Sequence, residues 1–121
     1  MAAKRVLVLD DDRDLCFVMK EMMLVLGAKS CFCTHSYQEL MKHETEALNT
    51  DLALLDVNLG DENYNGLDAY EWLKKIGYNG EVVFFTGHAR SHPWVKKALE
   101  IPRVKLLEKP ATIDKIEMLL Q

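Results

Sequence analysis

The sequence predicts an α/β fold in which helices cover both faces of a doubly wound parallel sheet. Short apolar runs alternate with amphipathic segments five times along the 121 residues. The central run, residues 52–55, is apolar throughout, which is typical of a strand that is covered on both faces. Four of the five runs lead into polar residues. We therefore expect one domain, residues 1–121, with a site at the carboxyl edge of its sheet.

Each element has its own signal in the chain. The predicted strands are residues 6–9, 30–34, 52–55, 82–85 and 104–107, and the predicted helices are residues 12–26, 36–48, 67–76, a short helix from about 93, and 112–120. Gly27 fits the end of the first helix, and Ser36 with Glu39 forms a capping box that opens the second. Pro93 fits the first turn of the fourth helix, which Ser91 or His92 would cap.

Composition excludes several classes of protein. The chain has 15 Lys and Arg against 19 Asp and Glu, a net charge of −4, which argues against direct nucleic-acid binding and favours a cation or a basic partner. No apolar run approaches the ~20 residues of a membrane span, and no signal-peptide core follows the N-terminus. Three cysteines are too few and too odd in number for a disulfide framework. These features predict a protein of the reducing cytoplasm, without a membrane segment.

Two smaller groups of residues have a possible metal role. Cys31, Cys33 and His35 alternate along one strand and so share a face, but a zinc site needs a fourth ligand that the spacing does not supply. His88 and His92 are four residues apart, yet Pro93 indicates that the helix only begins there. We interpret these two histidines as solvated loop residues.

The polar strand ends predict a phosphoryl-transfer site. In a doubly wound sheet the ends of strands one, three, four and five lie side by side, so Asp10, Asp11 and Asp56 should converge. Clustered carboxylates need a shared cation, and oxygen ligands suit Mg²⁺. Lys109 adds a positive charge and Thr86 a hydroxyl, which together neutralise and orient phosphoryl oxygens. A carboxylate can be the nucleophile, so the residues indicate Mg²⁺-dependent transfer onto an Asp.

In order and spacing, these motifs resemble those of the receiver domains of two-component response regulators, over essentially the whole chain. The resemblance implies a chemotaxis-regulator-like, flavodoxin-like fold with strand order 2-1-3-4-5. It implies a role for each matching residue as follows: Asp56 as phosphoacceptor; Asp10, Asp11, Asp56 and the Asn58 backbone carbonyl as metal ligands; Thr86, Gly87 and Lys109 as phosphoryl-binding or switch residues; and Pro110 as a cis-proline. It also implies Mg²⁺ as cofactor, with Mn²⁺ able to substitute.

The resemblance further implies partners. A histidine kinase or a phosphotransfer protein would donate the phosphoryl group from phosphohistidine. An output protein or domain would bind the face formed by the fourth helix, the fifth strand and the last helix. Such a domain catalyses only its own phosphorylation and dephosphorylation, so we expect no turnover of a free substrate.

Three departures from the family pattern affect the switch and the surroundings of the site. Leu106 stands where the family usually has an aromatic ring that rotates inward, so the output mechanism should differ. Gly60 stands where many members have Pro, in a loop (residues 58–66) a couple of residues longer than usual. Residues 100–103 replace the usual Gly-Ala that leads into the fifth strand.

Two alternatives remain from the residues alone. Asp10 and Asp12 after an apolar strand also resemble the nucleophile and the general acid/base of haloacid-dehalogenase-type phosphohydrolases. Against this, only the isolated Asp114 and Glu117 follow Lys109, and the chain leaves no room for a cap insertion. The second alternative is a receiver-like fold that is not phosphorylated and serves only as an interaction module.

Overall fold

The computed structural model describes residues 3–121, and its centre is a five-stranded, all-parallel sheet. The strands are β1 (Arg5–Leu9), β2 (Ser30–Thr34), β3 (Leu52–Asp56), β4 (Glu81–Thr86) and β5 (Lys105–Glu108). Their order across the sheet is β2-β1-β3-β4-β5, as the resemblance implied. β3 lies in the middle with every residue buried, which explains why its sequence is apolar up to its last residue.

Six helices lie among the described residues. They are α1 (Arg13–Val25), α2 (Tyr37–Met41), α3 (Glu44–Leu48), α4 (Gly66–Lys75), α5 (Pro93–Glu100) and α6 (Ile113–Leu119). Asp12 caps α1 by accepting from the Leu15 N–H, and His92 caps α5 by accepting from the Trp94 N–H. No helix in this part of the chain is both long and apolar enough to cross a bilayer.

The helices form one layer on each side of the sheet. Val6 and Val8 of β1 face a cluster completed by α1 and α6, whereas Leu7 and Leu9 face a cluster completed by α2, α3, α4 and α5. This alternation follows from the two-residue period of a strand. Two covered faces leave the strand ends as the place where polar side chains meet.

The predicted second helix is wrong in one respect, because the structure divides it into α2 and α3. The interruption lies at Lys42 and His43, and His43 has φ −121° and ψ 46°, outside the helical region. The His43 ring packs edge-on against Phe32 of β2, with ring centroids 5.1 Å apart. Leu40 and Ala47 are both fully buried and lie seven residues apart, so the apolar pattern runs through the break and did not reveal it.

Candidate functional site

Asp10 and Asp56 lie side by side because β1 and β3 are neighbours. Leu9 pairs with Leu55, so the residues that follow come together at the carboxyl edge of the sheet. Asp10 is 1% exposed and Asp56 is 5% exposed. One oxygen of each carboxylate accepts a hydrogen bond from the backbone N–H two residues later. Asp10 Oδ1 accepts from the Asp12 N–H at 3.0 Å, and Asp56 Oδ1 accepts from the Asn58 N–H at 3.3 Å.

Lys109 bridges the two buried carboxylates. Its Nζ lies 2.8 Å from Asp10 Oδ2 and 3.2 Å from Asp56 Oδ2. The backbone holds it in place, because the Lys109 N–H donates to the Thr86 carbonyl at 2.8 Å. Nζ also lies 5.1 Å from the centroid of the Phe85 ring, a cation–π contact. The Lys109–Pro110 peptide bond is cis.

Thr86 and Gly87 end β4 beside these charges. Thr86 is fully buried, and its Oγ1 accepts from the His88 N–H at 3.0 Å. Gly87 is exposed, and a Cβ added there would meet the Lys109 side chain at 3.9 Å, an ordinary contact. The glycine therefore leaves open space in front of Lys109 without being required by packing.

An open polar cleft of about 350 Å³ lies over these residues. Its lining is Asp11, Asp56, Asn58, Gly60, Gly87, His88 and Lys109. Of the residues predicted for the site, Asp10, Thr86 and Leu106 are not in this lining. Asp10 is almost fully buried and Thr86 is fully buried, so neither contributes surface to the cleft.

Burial and charge perturb the ionisation of the site. Burial, reinforced by the negative charge of Asp10, raises the pKa of Asp56 to about 7 despite the opposing charge of Lys109. Burial by itself would lower the pKa of Lys109, but its hydrogen bonds and ion pairs with Asp10 and Asp56 raise it overall. An additional positive charge at this site would therefore stabilise the ionised form of Asp56.

The acidic cluster has the chemistry of a site for a hard divalent cation. One carboxylate oxygen from each of Asp10, Asp11 and Asp56 lies within 4.8 Å of the others. Three carboxylates against the one ammonium of Lys109 leave two negative charges. Asp10 Oδ2 is buried and meets the Lys109 ammonium at 2.8 Å, a cation that it shares with Asp56. An all-oxygen donor set whose carboxylates share a single ammonium fits Mg²⁺ or Ca²⁺.

Two glycines shape the loop that follows β3. Gly60 has φ +67°, and a Cβ there would lie 2.9 Å from Asp11 Oδ2. Proline, whose φ is near −65°, cannot adopt this conformation, which accounts for the departure from the family pattern. At Gly66 a Cβ would overlap the carbonyl oxygen of Asp56, and the Gly66 N–H donates to the Val57 carbonyl at 2.9 Å. Gly66 therefore lets α4 begin directly against the end of β3.

His88 is a residue of the cleft that the sequence analysis missed. It is half-buried, its Nε2 lies 3.1 Å from Asn58 Nδ2, and its ring centroid lies 4.5 Å from that of His92, with the two rings tilted by 32°. Both histidines lie in the loop between β4 and α5, as predicted, but they are half-buried rather than fully solvated. The position of His88, two residues after the Thr that ends β4, could have indicated that it lies at the site. Nothing in its spacing indicated Asn58 as its partner.

Residues 6–121 match the family model of the response regulator receiver domain, and the chain belongs to that family. Receiver domains are signalling domains, and the class implies a phosphodonor as partner. The family is the one that the ordered motifs predicted, rather than the phosphohydrolase. No curated protein matches the chain significantly.

Solved structures share the fold at low sequence identity. A response regulator from Burkholderia pseudomallei, described with a phosphorylated aspartic acid, a calcium ion and citrate, is 24% identical with a TM-score of 0.80, over 98% of this chain and 66% of that one. A receiver domain protein from Clostridium thermocellum is 22% identical with a TM-score of 0.80, over 97% and 90%. A CheY-like receiver domain from Methylobacillus flagellatus is 19% identical with a TM-score of 0.77, over 99% and 98%.

Proposed function

We propose that the chain is a phosphorylation-dependent signalling receiver that accepts a phosphoryl group on Asp56 with Mg²⁺ and thereby changes its binding to a partner. The observation that carries this is the Lys109 ammonium lying between Asp10 and Asp56, 2.8 Å and 3.2 Å from their oxygens. Asp56 is the carboxylate that meets both this charge and the open cleft. A phosphoryl group on Asp56 would find the ammonium already beside it.

The donor would be a phosphohistidine of a histidine kinase or of a phosphotransfer protein. The Asp56 carboxylate attacks the phosphorus, a P–O bond forms as the P–N bond breaks, and the leaving imidazole keeps its electron pair. Asp10, Asp11, Asp56 and the Asn58 carbonyl would hold the Mg²⁺, which neutralises the transferred oxygens. Lys109 balances negative charge on the same oxygens, and Gly87 leaves space for the donor to approach.

The switch would run through Thr86. Its hydroxyl is buried and accepts from the His88 N–H, so turning toward a phosphoryl oxygen changes the backbone contact at the start of the loop that leads to α5. Leu106 of β5 is half-buried beside Phe84 and offers no ring to rotate. We therefore assign the output change to the loop of residues 86–93 and to α5, on the face that α5, β5 and α6 form.

The 121 residues would act as one cytoplasmic receiver domain that turns over no free substrate. In this role the protein modifies only itself. The lifetime of the phosphoryl group on Asp56 sets how long the signal lasts. No observation on the site favours the phosphohydrolase or the unphosphorylated module as a second candidate.

The test is labelling with a small phosphodonor such as acetyl phosphate, followed by intact mass spectrometry with and without Mg²⁺. One Mg²⁺-dependent phosphoryl group is expected on the parent chain and none on Asp56→Asn. Asp10→Asn should label more weakly, and Glu62→Gln, an exposed change beside the cleft, should label like the parent. Full labelling of Asp56→Asn, or labelling indifferent to Mg²⁺, would contradict the proposal.

A further inference from the structure

Three cysteines that the proposed function does not use gather between α1 and β2. Cys16 lies on α1, and Cys31 and Cys33 lie on the same face of β2. Cys16 and Cys31 are buried, whereas Cys33 is only half-buried. Cys33 is therefore the most exposed residue of the three, and its two neighbours are shielded.

Cys33 is the centre of this cluster. Its thiol donates to the Cys16 carbonyl oxygen, with Sγ 3.6 Å from that oxygen. The neighbouring thiols of Cys16 and Cys31 lower the pKa of Cys33, and the charge of Lys20 acts in the same direction against the effect of burial. A half-exposed thiolate near a positive group is the environment of a reactive cysteine.

The contacts argue against a structural metal. Among residues 3–121, the three acidic residues of the cleft are the one group with ligand atoms close enough to share an ion, so the three sulfurs do not form such a group. His35, which the sequence offered as a further ligand, has its Nδ1 3.1 Å from the Asp10 carbonyl oxygen. A zinc site needs four converging ligands.

We propose that Cys33 and Cys16 form a peroxide-sensitive thiol pair that closes to a disulfide between β2 and α1. The Cys33 thiol releases its proton to solvent, and the thiolate attacks a hydroperoxide oxygen. The O–O bond breaks, the leaving hydroxide or alkoxide takes up a proton from solvent, and the products are Cys33 sulfenic acid and water or an alcohol. The Cys16 sulfur then attacks the sulfenic sulfur, its proton leaves with the hydroxyl as water, and the S–S bond forms. The two thiols are oxidised by two electrons, the peroxide is reduced, and a dithiol reverses the reaction.

Cys16 rather than Cys31 is the resolving partner because of strand geometry. Cys31 and Cys33 are two residues apart on one extended strand, so their Cα atoms are separated by about 6.6 Å, near the upper limit for a disulfide. Their side chains also point in parallel, not toward each other. Cys16 comes from the facing helix, and its carbonyl oxygen already contacts the Cys33 sulfur.

The pair is coupled to the acidic site through one hydrogen bond. The Cys16 thiol donates to the Asp10 carbonyl at 3.3 Å. Disulfide formation removes that proton, so this support for Asp10 is lost and the oxidised chain binds Mg²⁺ more weakly. Unlike the disulfide itself, this coupling rests on the proposed function.

The experiment treats the reduced full chain with hydrogen peroxide, alkylates the remaining thiols and maps the peptides. The expected product has lost two hydrogens, contains a Cys16–Cys33 link and carries the alkyl group on Cys31. Cys33→Ser should abolish the reaction. Cys16→Ala should leave a sulfenic acid on Cys33 that dimedone traps, and the matched control Cys31→Ala should still form the link.

Two results of the peptide map would overturn the disulfide: a Cys31–Cys33 link, or three thiols that stay alkylatable after peroxide. A Mg²⁺ titration of both forms decides the coupling, which predicts weaker binding after peroxide and recovery after dithiothreitol. Equal affinity in the two forms would overturn the coupling. A reduced chain that binds no Mg²⁺ would contradict the proposed function and the coupling with it, whereas the map alone decides the disulfide.

Discussion

Asp56 lies where its negative charge is unfavourable until a cation or a phosphodonor binds. It is almost fully buried, lies beside the buried Asp10 and has only Lys109 to offset both. The sequence predicted that these three side chains would meet, since each follows or ends a strand at the same edge. It did not predict that Lys109 would bridge both carboxylates, because this depends on side-chain geometry across three strands.

The first prediction concerns the pH dependence of stability without metal. Because the pKa of Asp56 is raised to about 7 in the folded chain, the folded state binds more protons than the unfolded state between its ordinary value and about 7. This group therefore makes the chain less stable as pH rises through that range. Asp56→Asn should remove the loss and stabilise the chain by more than about 1 kcal/mol relative to the parent near pH 8, with less gain near pH 5.

Urea unfolding in a chelator at both pH values measures this difference. Glu62→Gln, which removes an exposed carboxylate from the same region, serves as the control and should show no such pH dependence. A gain from Asp56→Asn that is equal at the two pH values would mean that burial does not perturb this carboxyl group.

The second prediction concerns the glycine behind Asp56. Gly66→Ala would drive a methyl group into the Asp56 carbonyl, so unfolding free energy should fall by about 1–3 kcal/mol and labelling of Asp56 should fall with it. Gly87→Ala is the matched change, because its methyl meets only the Lys109 side chain at 3.9 Å. Gly87→Ala should leave stability nearly unchanged. Equal stability of the two variants in chemical denaturation would contradict this explanation of Gly66.

At the scale of elements, the sequence predicted the strands and most helices, but not what interrupts or joins them. Short apolar runs and the Ser36 cap, whose side chain accepts from the Glu39 N–H, are local signals. The break between α2 and α3 and the stacking of Tyr64 on Tyr37, with centroids 4.3 Å apart, are contacts between segments. No local pattern encodes such contacts, so both were missed.

The third prediction concerns the element that responds to phosphorylation. With Leu106 in place of an aromatic ring, a phosphoryl mimic such as beryllofluoride with Mg²⁺ should shift amide resonances most in residues 86–93 and α5. A ligand moves such an equilibrium only by its differential affinity for the two states, so Thr86→Ala, which removes the hydroxyl, should shrink these shifts. If the largest amide shifts instead appeared in α1 or α2, the switch would not run through Thr86 and α5.

At the scale of the whole molecule, parallel topology brings the ends of four strands, β1, β3, β4 and β5, together in one site. Alternation of buried strands and amphipathic helices is a whole-chain pattern, and it was sufficient to predict the βα units and the doubly wound sheet. The family resemblance supplied the strand order. The cysteine cluster between α1 and β2 was not predicted as a unit, because Cys16 is remote in sequence from Cys31 and Cys33 and only the packing of the helix joins them.

The fourth prediction concerns metal and global stability. A cation that binds only the folded chain stabilises it by mass action, so the melting temperature should rise with Mg²⁺ concentration and fall on chelation. Asp11→Ala should abolish the dependence, because Asp11 is the exposed member of the acidic cluster. Glu62→Ala should keep it. A Mg²⁺ response that Asp11→Ala leaves intact would place the metal elsewhere.

The most direct measurement is the position of the phosphoryl group on the unmodified chain. After reaction with a phosphodonor and Mg²⁺, the acyl phosphate is trapped by borohydride reduction and the reduced residue is located by peptide mapping. The proposed function predicts one modified residue, Asp56, the carboxylate that meets both Lys109 and the cleft. An adduct on Asp10 would instead indicate the phosphohydrolase chemistry and would contradict the central claim.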